Sequence, residues 1–209
     1  MPPRARSGAR GSAPAAWLRH TTVWCSYPCP MPERIGAVLL DFGDTLSDQA
    51  TEERDEHGTL LYVGLVEGAR ELVERLRERG YGLALVADGE ARDARNALAR
   101  HGLDELFDAV VISEAVGAHK PDPAMFRRAL AELGLGEEDA GRVVMVGNRL
   151  ERDIAGAHGL GMVAVWIDWS PRYDKEPREP DAVPDARIEH PLELLAVLDR
   201  LEGEAPEAV

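Results

Sequence analysis

A regular alternation of short apolar runs with longer amphipathic stretches is the feature that most constrains the fold. The apolar runs are almost continuous, as in strands that are buried on both faces of a parallel sheet. They cover residues 35–41, 81–88, 109–113, 142–147 and 162–168. The amphipathic stretches have the spacing of surface helices and cover residues 67–80, 90–102, 122–134 and 151–161. A weaker strand at 186–190 and a helix from Pro191 to about Glu202 complete the pattern. This alternation predicts an α/β fold, with a doubly wound parallel sheet covered by helices on both faces.

Composition limits the partners and the location that we expect for the chain. The net charge is −14 over 209 residues, so we expect no binding to nucleic acid or to an anionic membrane, because both require a basic surface. No apolar run approaches the ~20 residues that a membrane-spanning helix needs. The two cysteines, Cys25 and Cys29, both precede the patterned region, and a folded part without cysteine is consistent with a cytoplasmic protein.

The first thirty residues differ in composition from the rest of the chain. They are rich in Pro, Ala, Gly and Ser, which is typical of segments that cannot bury enough apolar surface to fold. Met31 opens the stretch that leads into the first strand, so we interpret residues 1–30 as a disordered arm or an over-extended start. One folded domain is predicted over 31–202, and a flexible tail over 203–209.

Polar residues that follow the predicted strands are the candidates for function, because ligands of such sheets bind beyond the carboxyl ends of the strands. Asp41 ends the first apolar run, Lys120 precedes a helix in "HKPDP", and Asp153 lies near the first turn of a later helix. Residues 41–43 read "DFG", which is also the magnesium-binding triplet of protein kinases. A kinase is excluded, since no glycine-rich loop, strand lysine or "HRD" sequence accompanies the triplet. Considered alone, each residue has an ordinary explanation, as a loop or capping aspartate or as an exposed lysine. Their order along the chain favours a shared site.

Four motifs, "LLDFGDTL", "LALVADG", "HKPDP" and "VGNRLERDIAGA", together resemble those of the haloacid dehalogenase (HAD) superfamily, over about residues 33–202. The resemblance implies a Rossmann-like HAD core and a nucleophile, Asp41, which attacks phosphorus to form an aspartyl-phosphate that water then hydrolyses. Lys120 would stabilise Asp41 and the phosphoryl charge. The resemblance also implies Mg²⁺ as cofactor. The implied metal ligands are Asp41, the backbone carbonyl of Gly43, Asn148 and Asp153. The implied substrate-binding residues are Thr45, Ala87, Asp88 and Gly89.

Three positions depart from the pattern of the superfamily's phosphatases. Gly43 stands in place of the acid that protonates the leaving group, Ala87 in place of a phosphate-binding Ser or Thr, and Asn148 in place of an acid. The change at Gly43 is the most serious, because a positioned acid or base contributes about 10²–10⁴ in rate. Asp44, one residue further on, could supply the proton as a catalytic acid. The alternative is that Asp44 is an exposed turn residue.

The segment between the nucleophile and the second strand is too short for a large cap domain. About residues 47–66 are free for an insertion, and they contain one turn signal, His57-Gly58, which favours a hairpin flap. A site without a large lid excludes water less well around a small substrate, so it suits a macromolecular substrate or closure by a second subunit. The expected partner is a phosphorylated substrate, either a small molecule or a macromolecule, and a homodimer is one expectation. Trp169 and Tyr173 are candidates for the rim of the site, with ordinary loop packing as the alternative.

Three functions are compatible with these motifs. The first is Mg²⁺-dependent hydrolysis of phosphate monoesters with an atypical acid, which the retained Asp41 and Lys120 favour. The second is binding of a phosphorylated ligand or partner without turnover, which the changes at Gly43, Ala87 and Asn148 favour. The third is a dehalogenase-like hydrolysis. The haloacid dehalogenases also lack the second acid, but they have a serine after the second strand and a helical cap, and this chain has neither.

Overall fold

The computed structural model describes residues 24–25 and 34–203. The strands are β1 Trp24–Cys25, β2 Ala37–Leu40, β3 Ser47–Arg54, β4 Leu60–Leu65, β5 Gly82–Ala87, β6 Ala109–Ile112, β7 Val143–Gly147, β8 Val163–Ile167 and β9 Ala186–Ile188. The α-helices are α1 Ala69–Glu78, α2 Ala91–Arg100, α3 Ser113–Val116, α4 Pro123–Glu132, α5 Ala155–His158 and α6 Glu193–Leu201. Every predicted strand is present, each within the apolar run that indicated it.

The main sheet has the strand order β1-β9-β8-β7-β2-β5-β6. The six strands from β9 to β6 are parallel, and β1 is antiparallel at the edge. The strand β2 therefore lies in the middle, between β7 and β5, where the winding of the chain reverses. This confirms the doubly wound parallel sheet, and it places the end of β2 at the position where such sheets bind ligands.

The strand β2 is buried on both faces, which explains its uninterrupted apolar sequence. Val38 and Leu40 pack in one core cluster with residues of α1, α2 and α6, whereas Ala37 and Leu39 pack in the other with residues of α4. All four side chains have no exposed surface. Alternate residues of a strand point to opposite faces, so a strand covered on both sides needs an apolar residue at every position.

A two-stranded hairpin, formed by β3 and β4, is the flap of this molecule. The strands are antiparallel, and the turn between them includes Gly58 with φ of 81°, as the turn signal predicts. The Asp93 carboxylate on α2 holds the flap, because it accepts hydrogen bonds from Arg54 Nη1 at 2.9 Å and from the Leu60 amide at 3.3 Å. The flap thus lies against α2 beside the carboxyl end of the sheet.

Two local features differ from the sequence prediction. The helix predicted over 151–161 begins as a π-helical turn, Leu150–Ile154, and only Ala155–His158 is α-helical. Single π turns are common at functional sites, and this one contains Asp153. The short helix α3 was also not expected, since only one helix and one strand were assigned to the segment between β5 and Lys120.

The predicted arm and tail fall almost entirely outside the described residues. Only the backbone of β1 is described from the arm over 1–30, and it pairs with β9. Residues 1–23, 26–33 and 204–209 are not described, so the interpretation of the arm and of the tail stays a prediction. Within the described ranges, no helix has the length and apolar character needed to cross a bilayer.

Candidate active site

Asp41 lies at the end of the central strand, in a tightly turned loop. Its amide donates to the Val146 carbonyl of β7 at 2.9 Å, so its backbone continues the sheet. The Phe42 carbonyl then accepts hydrogen bonds from the amides of Leu46 and Ser47, both at 2.9 Å. Thr45 Oγ1 donates to Asp41 Oδ2 at 3.1 Å. Thr45 therefore holds one carboxylate oxygen of Asp41, which leaves the other free for a different partner.

Lys120 is that partner, and it joins two carboxylates. Its Nζ lies 2.6 Å from Asp41 Oδ1 and 2.6 Å from Asp153 Oδ1, and it donates to the Val86 carbonyl at 2.8 Å. Lys120 is 4% exposed. Burial lowers the pKa of this amine, but the charges of Asp153 and Asp41 outweigh it and raise the pKa above the ordinary value. The lysine is therefore a buried cation between two acids.

The π turn after β7 positions Asp153 without any exposure to solvent. Its Oδ2 accepts a hydrogen bond from the Arg149 amide at 2.9 Å. A side chain at Gly147 would collide with the Asp153 carboxylate, so this glycine lets the acid approach the end of the strand. Burial raises the pKa of Asp153 to about 6, although Lys120 opposes the shift.

Asn148 is a buried polar side chain without a hydrogen-bond partner. It is 3% exposed, and neither its Oδ1 nor its Nδ2 has a partner within the described residues. A buried unsatisfied amide costs about 1–3 kcal/mol, so its retention beside Asp153 needs an explanation. Within the same residues, no three His, Cys, Asp or Glu side chains are grouped as for a metal. The carboxylates of Asp41 and Asp153, the Asn148 amide and the Gly43 carbonyl nevertheless offer the hard oxygen ligands that Mg²⁺ prefers.

Gly43 faces the flap, and a flap residue fills the space beside it. A Cβ added at Gly43 would lie 2.7 Å from Gln49 Nε2. Gln49 is on β3, so the hairpin brings its amide to the place that a side chain at position 43 would occupy. This proximity could not be predicted from the sequence, because it depends on how the hairpin folds back.

Asp44 is fully buried, so its interpretation as an exposed turn residue was wrong. It has a left-handed backbone with φ of 54°, a conformation that Asp tolerates better than most residues. Its Oδ2 accepts from the Tyr173 hydroxyl at 2.8 Å. Its Oδ1 accepts from the backbone N–H of Gln49 at 2.9 Å and pairs with Arg172 Nη2 at 3.2 Å. Its carbonyl accepts from Trp169 Nε1 at 2.8 Å. Asp44 therefore connects the loop after Asp41, the flap and the loop after β8.

A cleft of about 180 Å³ opens above these residues. Eight of the ten residues proposed from the sequence line it, namely Asp41, Gly43, Ala87, Asp88, Gly89, Lys120, Asn148 and Asp153. Thr45 and Asp44 do not line it, and they contact Asp41 and Tyr173 instead. The lining also includes four residues that the sequence analysis did not single out, namely Gln49, Arg54, Arg149 and Arg152.

The two aromatic candidates for the rim have different positions. Tyr173 lines the cleft, and burial together with the Asp44 carboxylate raises the pKa of its hydroxyl. Trp169 packs against the core and donates to Asp44, so loop packing describes it better. Asp88 accepts a hydrogen bond from the Lys120 amide at 3.0 Å and pairs with Arg152 at 3.2 Å, which makes it a support for the lysine.

Comparison with known proteins gives a consistent result. The profile of the haloacid dehalogenase-like hydrolase family matches residues 39–167. A glyceraldehyde 3-phosphate phosphatase of Methanopyrus kandleri is 37% identical over 172 residues, which are 82% of this chain and 67% of the relative. A phosphoserine phosphatase of Thermus thermophilus is 33% identical over 186 residues, which are 79% of this chain and 69% of the relative.

A solved structure of the same family has a similar fold. The crystal structure of a HAD phosphatase from Thermococcus onnurineus superposes with a TM-score of 0.57 at 31% identity. The match covers 65% of this chain and 59% of that protein, so the chain spans about three fifths of that relative and about two thirds of the two curated ones. The matched family, the parallel sheet and the motifs at its strand ends agree, and the chain belongs to the haloacid dehalogenase-like hydrolase family.

Proposed function

We propose that this protein hydrolyses phosphate monoesters, with Asp41 as the nucleophile. The observation that carries the proposal is the position of Lys120 Nζ, 2.6 Å from both Asp41 and Asp153. A buried lysine between two acids at the end of the central strand provides a nucleophile beside a fixed positive charge. The phosphatase names of the relatives from Methanopyrus and Thermus support this choice over dehalogenation.

In the first step the Asp41 carboxylate attacks phosphorus and the ester bond breaks. The leaving oxygen departs with the bonding electrons and takes a proton from solvent, which the attacking water of the second step returns. In the second step water attacks the aspartyl-phosphate and releases inorganic phosphate and the free carboxylate. Lys120 compensates the charge at Asp41 throughout, and Thr45 holds the carboxylate in one orientation. Mg²⁺ held by Asp41, Asp153, Asn148 and the Gly43 carbonyl would reduce the repulsion between the carboxylate and the phosphate.

Protonation of the leaving group distinguishes this site from one with an acid at position 43. The Gln49 amide occupies that space, and an amide can donate a hydrogen bond without giving up a proton. Asp44 has three partners of its own and lies outside the cleft lining. These contacts support a role for Asp44 in positioning Tyr173 and Gln49 rather than as a direct acid. We therefore expect esters with good leaving groups to be the best substrates.

Phosphate binding is assigned to the loop after Asp41 and to the residues after β5. Gly89, with φ of 152°, has its amide fixed by Ser113 Oγ at 2.9 Å. Ala87 offers only a methyl group, so the hydroxyl contact of other phosphatases is missing. The amides of residues 44–47 already donate to carbonyls of the loop, so the amides of Phe42 and Gly43 are the main donors in this proposal. Asp88 would act through Lys120.

The size of the cleft favours a small phosphorylated substrate over a macromolecule. Its volume of about 180 Å³ is below the 300–1,000 Å³ that is typical of sites for drug-sized ligands. A homodimer and a cytoplasmic location stay predictions. Binding of a phosphorylated ligand without turnover is the second candidate, because Gly43, Ala87 and Asn148 all lack groups that promote turnover.

Hydrolysis of an aryl phosphate by the full chain tests the proposal, because its good leaving group needs little help from an acid. We expect Mg²⁺-dependent release of phosphate that stops with a chelator and falls at least 10³-fold in Asp41→Asn. Asp104→Asn, the same change at an exposed position, is the control and should retain full activity. Equal rates in Asp41→Asn and wild type would reject the nucleophile. Binding of phosphate without any hydrolysis would favour the second candidate.

A further inference from the structure

We propose that Arg149, stacked on Tyr173, is a second anion-binding subsite that selects phosphate esters carrying another negatively charged group. The proposal rests on the proposed function of the cleft, and it extends that function to the class of substrate. The second group would be a carboxylate or a second phosphate. Arg149 binds it while the ester phosphate lies at Asp41.

Arg149 differs from the other cations around the cleft in its pairing. Each of the others has a carboxylate partner: Lys120 with Asp41 and Asp153 at 2.6 Å, Arg54 with Asp93 at 2.9 Å, Arg152 with Asp88 at 3.2 Å, and Arg172 with Asp44 at 3.2 Å. The Arg149 guanidinium has no ion pair with any residue that the structure describes, although it is half-buried. The chain contains 38 acidic residues against 24 basic ones, so a lone arginine in the cleft is not explained by a shortage of acids.

Arg149 is held in place before any ligand arrives. Its Cζ lies 4.6 Å from the centroid of the Tyr173 ring, within the range of a cation–π contact. The Tyr173 hydroxyl lies 2.8 Å from Asp44 Oδ2 and 2.8 Å from Gln49 Oε1. The Arg149 amide is bound to Asp153 Oδ2. Both the ring and the arginine backbone are thus fixed, which lowers the cost of ordering the side chain on binding.

A guanidinium that lies over an aromatic ring is well suited to bind an anion. A guanidinium lying on an aromatic ring keeps its N–H groups at the edge, where they can bind both oxygens of a carboxylate or a phosphate. Arg149 directly follows Asn148 and precedes the turn that carries Asp153, so the same chain segment presents the metal ligands and the second cation. Arg149 and Asp41 line the same cleft, so a short ester with two anionic groups can present one group to each of them.

Kinetics on three small esters tests the proposal. The probes are 2-phosphoglycolate, with a carboxylate; glycerol 1,3-bisphosphate, with a second phosphate; and ethyl phosphate, with no second charge. We expect wild type to prefer one or both of the charged esters in kcat/KM, and Arg149→Gln to reduce that preference about 10- to 100-fold, as for the loss of a charge-assisted hydrogen bond. Arg149→Lys should restore part of it through KM, since it keeps the charge and loses the planar fork.

A matched control and a measurement without turnover complete the test. Arg178 pairs with Asp174 on the exposed surface near this loop, so Arg178→Gln makes the same chemical change outside the cleft and should leave the preference as in wild type. Calorimetric binding of phosphonoacetate against methylphosphonate gives the same comparison without hydrolysis. Tighter binding of phosphonoacetate to wild type that is lost in Arg149→Gln supports the subsite even if no ester is hydrolysed. The same preference in wild type and Arg149→Gln, by kinetics or by calorimetry, overturns it.

Discussion

Replacement of Lys120 by methionine tests the electrostatic account of the site most directly. Methionine fills a similar volume and removes the charge that lies 2.6 Å from each of two buried carboxylates. Removing one partner of a buried ion pair costs about 3–5 kcal/mol, because the remaining charge is left uncompensated. For a domain of this size each kcal/mol corresponds to roughly 2–4 °C in Tm. We therefore expect Lys120→Met to melt about 6–20 °C below wild type in the presence of a chelator.

The assay is thermal unfolding with a chelator and then with Mg²⁺. A ligand at 100 times its Kd adds about 2.7 kcal/mol to the folded state that binds it. Mg²⁺ should stabilise Lys120→Met more than it stabilises wild type, because a divalent cation replaces the lost charge beside Asp41 and Asp153. Part of the loss in Tm should therefore be recovered in the variant.

The chain provides its own control, since Lys175 is its only other lysine. Lys175 pairs with Asp168, but that carboxylate also has Arg187 at 2.6 Å, and the lysine is 42% exposed. Lys175→Met should cost less than about 1 kcal/mol. If both variants melt at nearly the same temperature in chelator, the two carboxylates do not depend on Lys120 and the reasoning is refuted.

Three further changes are predicted. Gly156→Ala should lower stability by about 1–3 kcal/mol in urea unfolding, because the added methyl would collide with the buried Phe126 ring, and overpacking of a core costs that much; an unchanged midpoint would contradict it. The Asp185 side chain raises the pKa of His158 from 6.5, so this pair contributes fully to stability below pH 6.5 and loses that contribution as the pH rises through the raised pKa. His158→Gln should therefore lose more stability at pH 5.5 than at pH 9. An equal loss at both pH values would argue against the pair. Asp93→Ala should speed proteolytic cleavage in the flap, because it removes the carboxylate that holds both flap strands; cleavage at the wild-type rate would show that other contacts suffice.

The architecture could be predicted from local sequence because its signals are local. The run Ala37–Leu40 is apolar at every position since both of its faces are covered. Helices α1, α2 and α4 are followed by Gly80, Gly102 and Gly134, which have φ of 80°, 60° and 72°, as expected of a left-handed helix stop. The position of Asp41 at the end of the central strand follows from the same pattern.

The parts of the site that could not be predicted depend on contacts between distant segments. Gln49 reaches Gly43 only because the flap folds back over the loop after Asp41. The burial of Asp44 depends on Tyr173, which is 129 residues further along the chain. The π turn around Asp153 is a matter of hydrogen-bond geometry that apolar periodicity does not encode. The order of the four motifs along the chain therefore predicts the residues that face the cleft, but it does not predict the residues that support them.

The network around Asp44 makes the effects of mutations in three separate segments depend on one another. Arg172 and Tyr173 both bind its carboxylate, and Gln49 binds both it and Tyr173. A substitution that changes the rim of the cleft therefore also alters the support of the loop after Asp41. The effects of mutations on selectivity and on rate will thus not be additive across these positions. Sequence change around this cleft is thus expected to proceed through compensating pairs, with epistasis centred on a residue that the cleft does not expose.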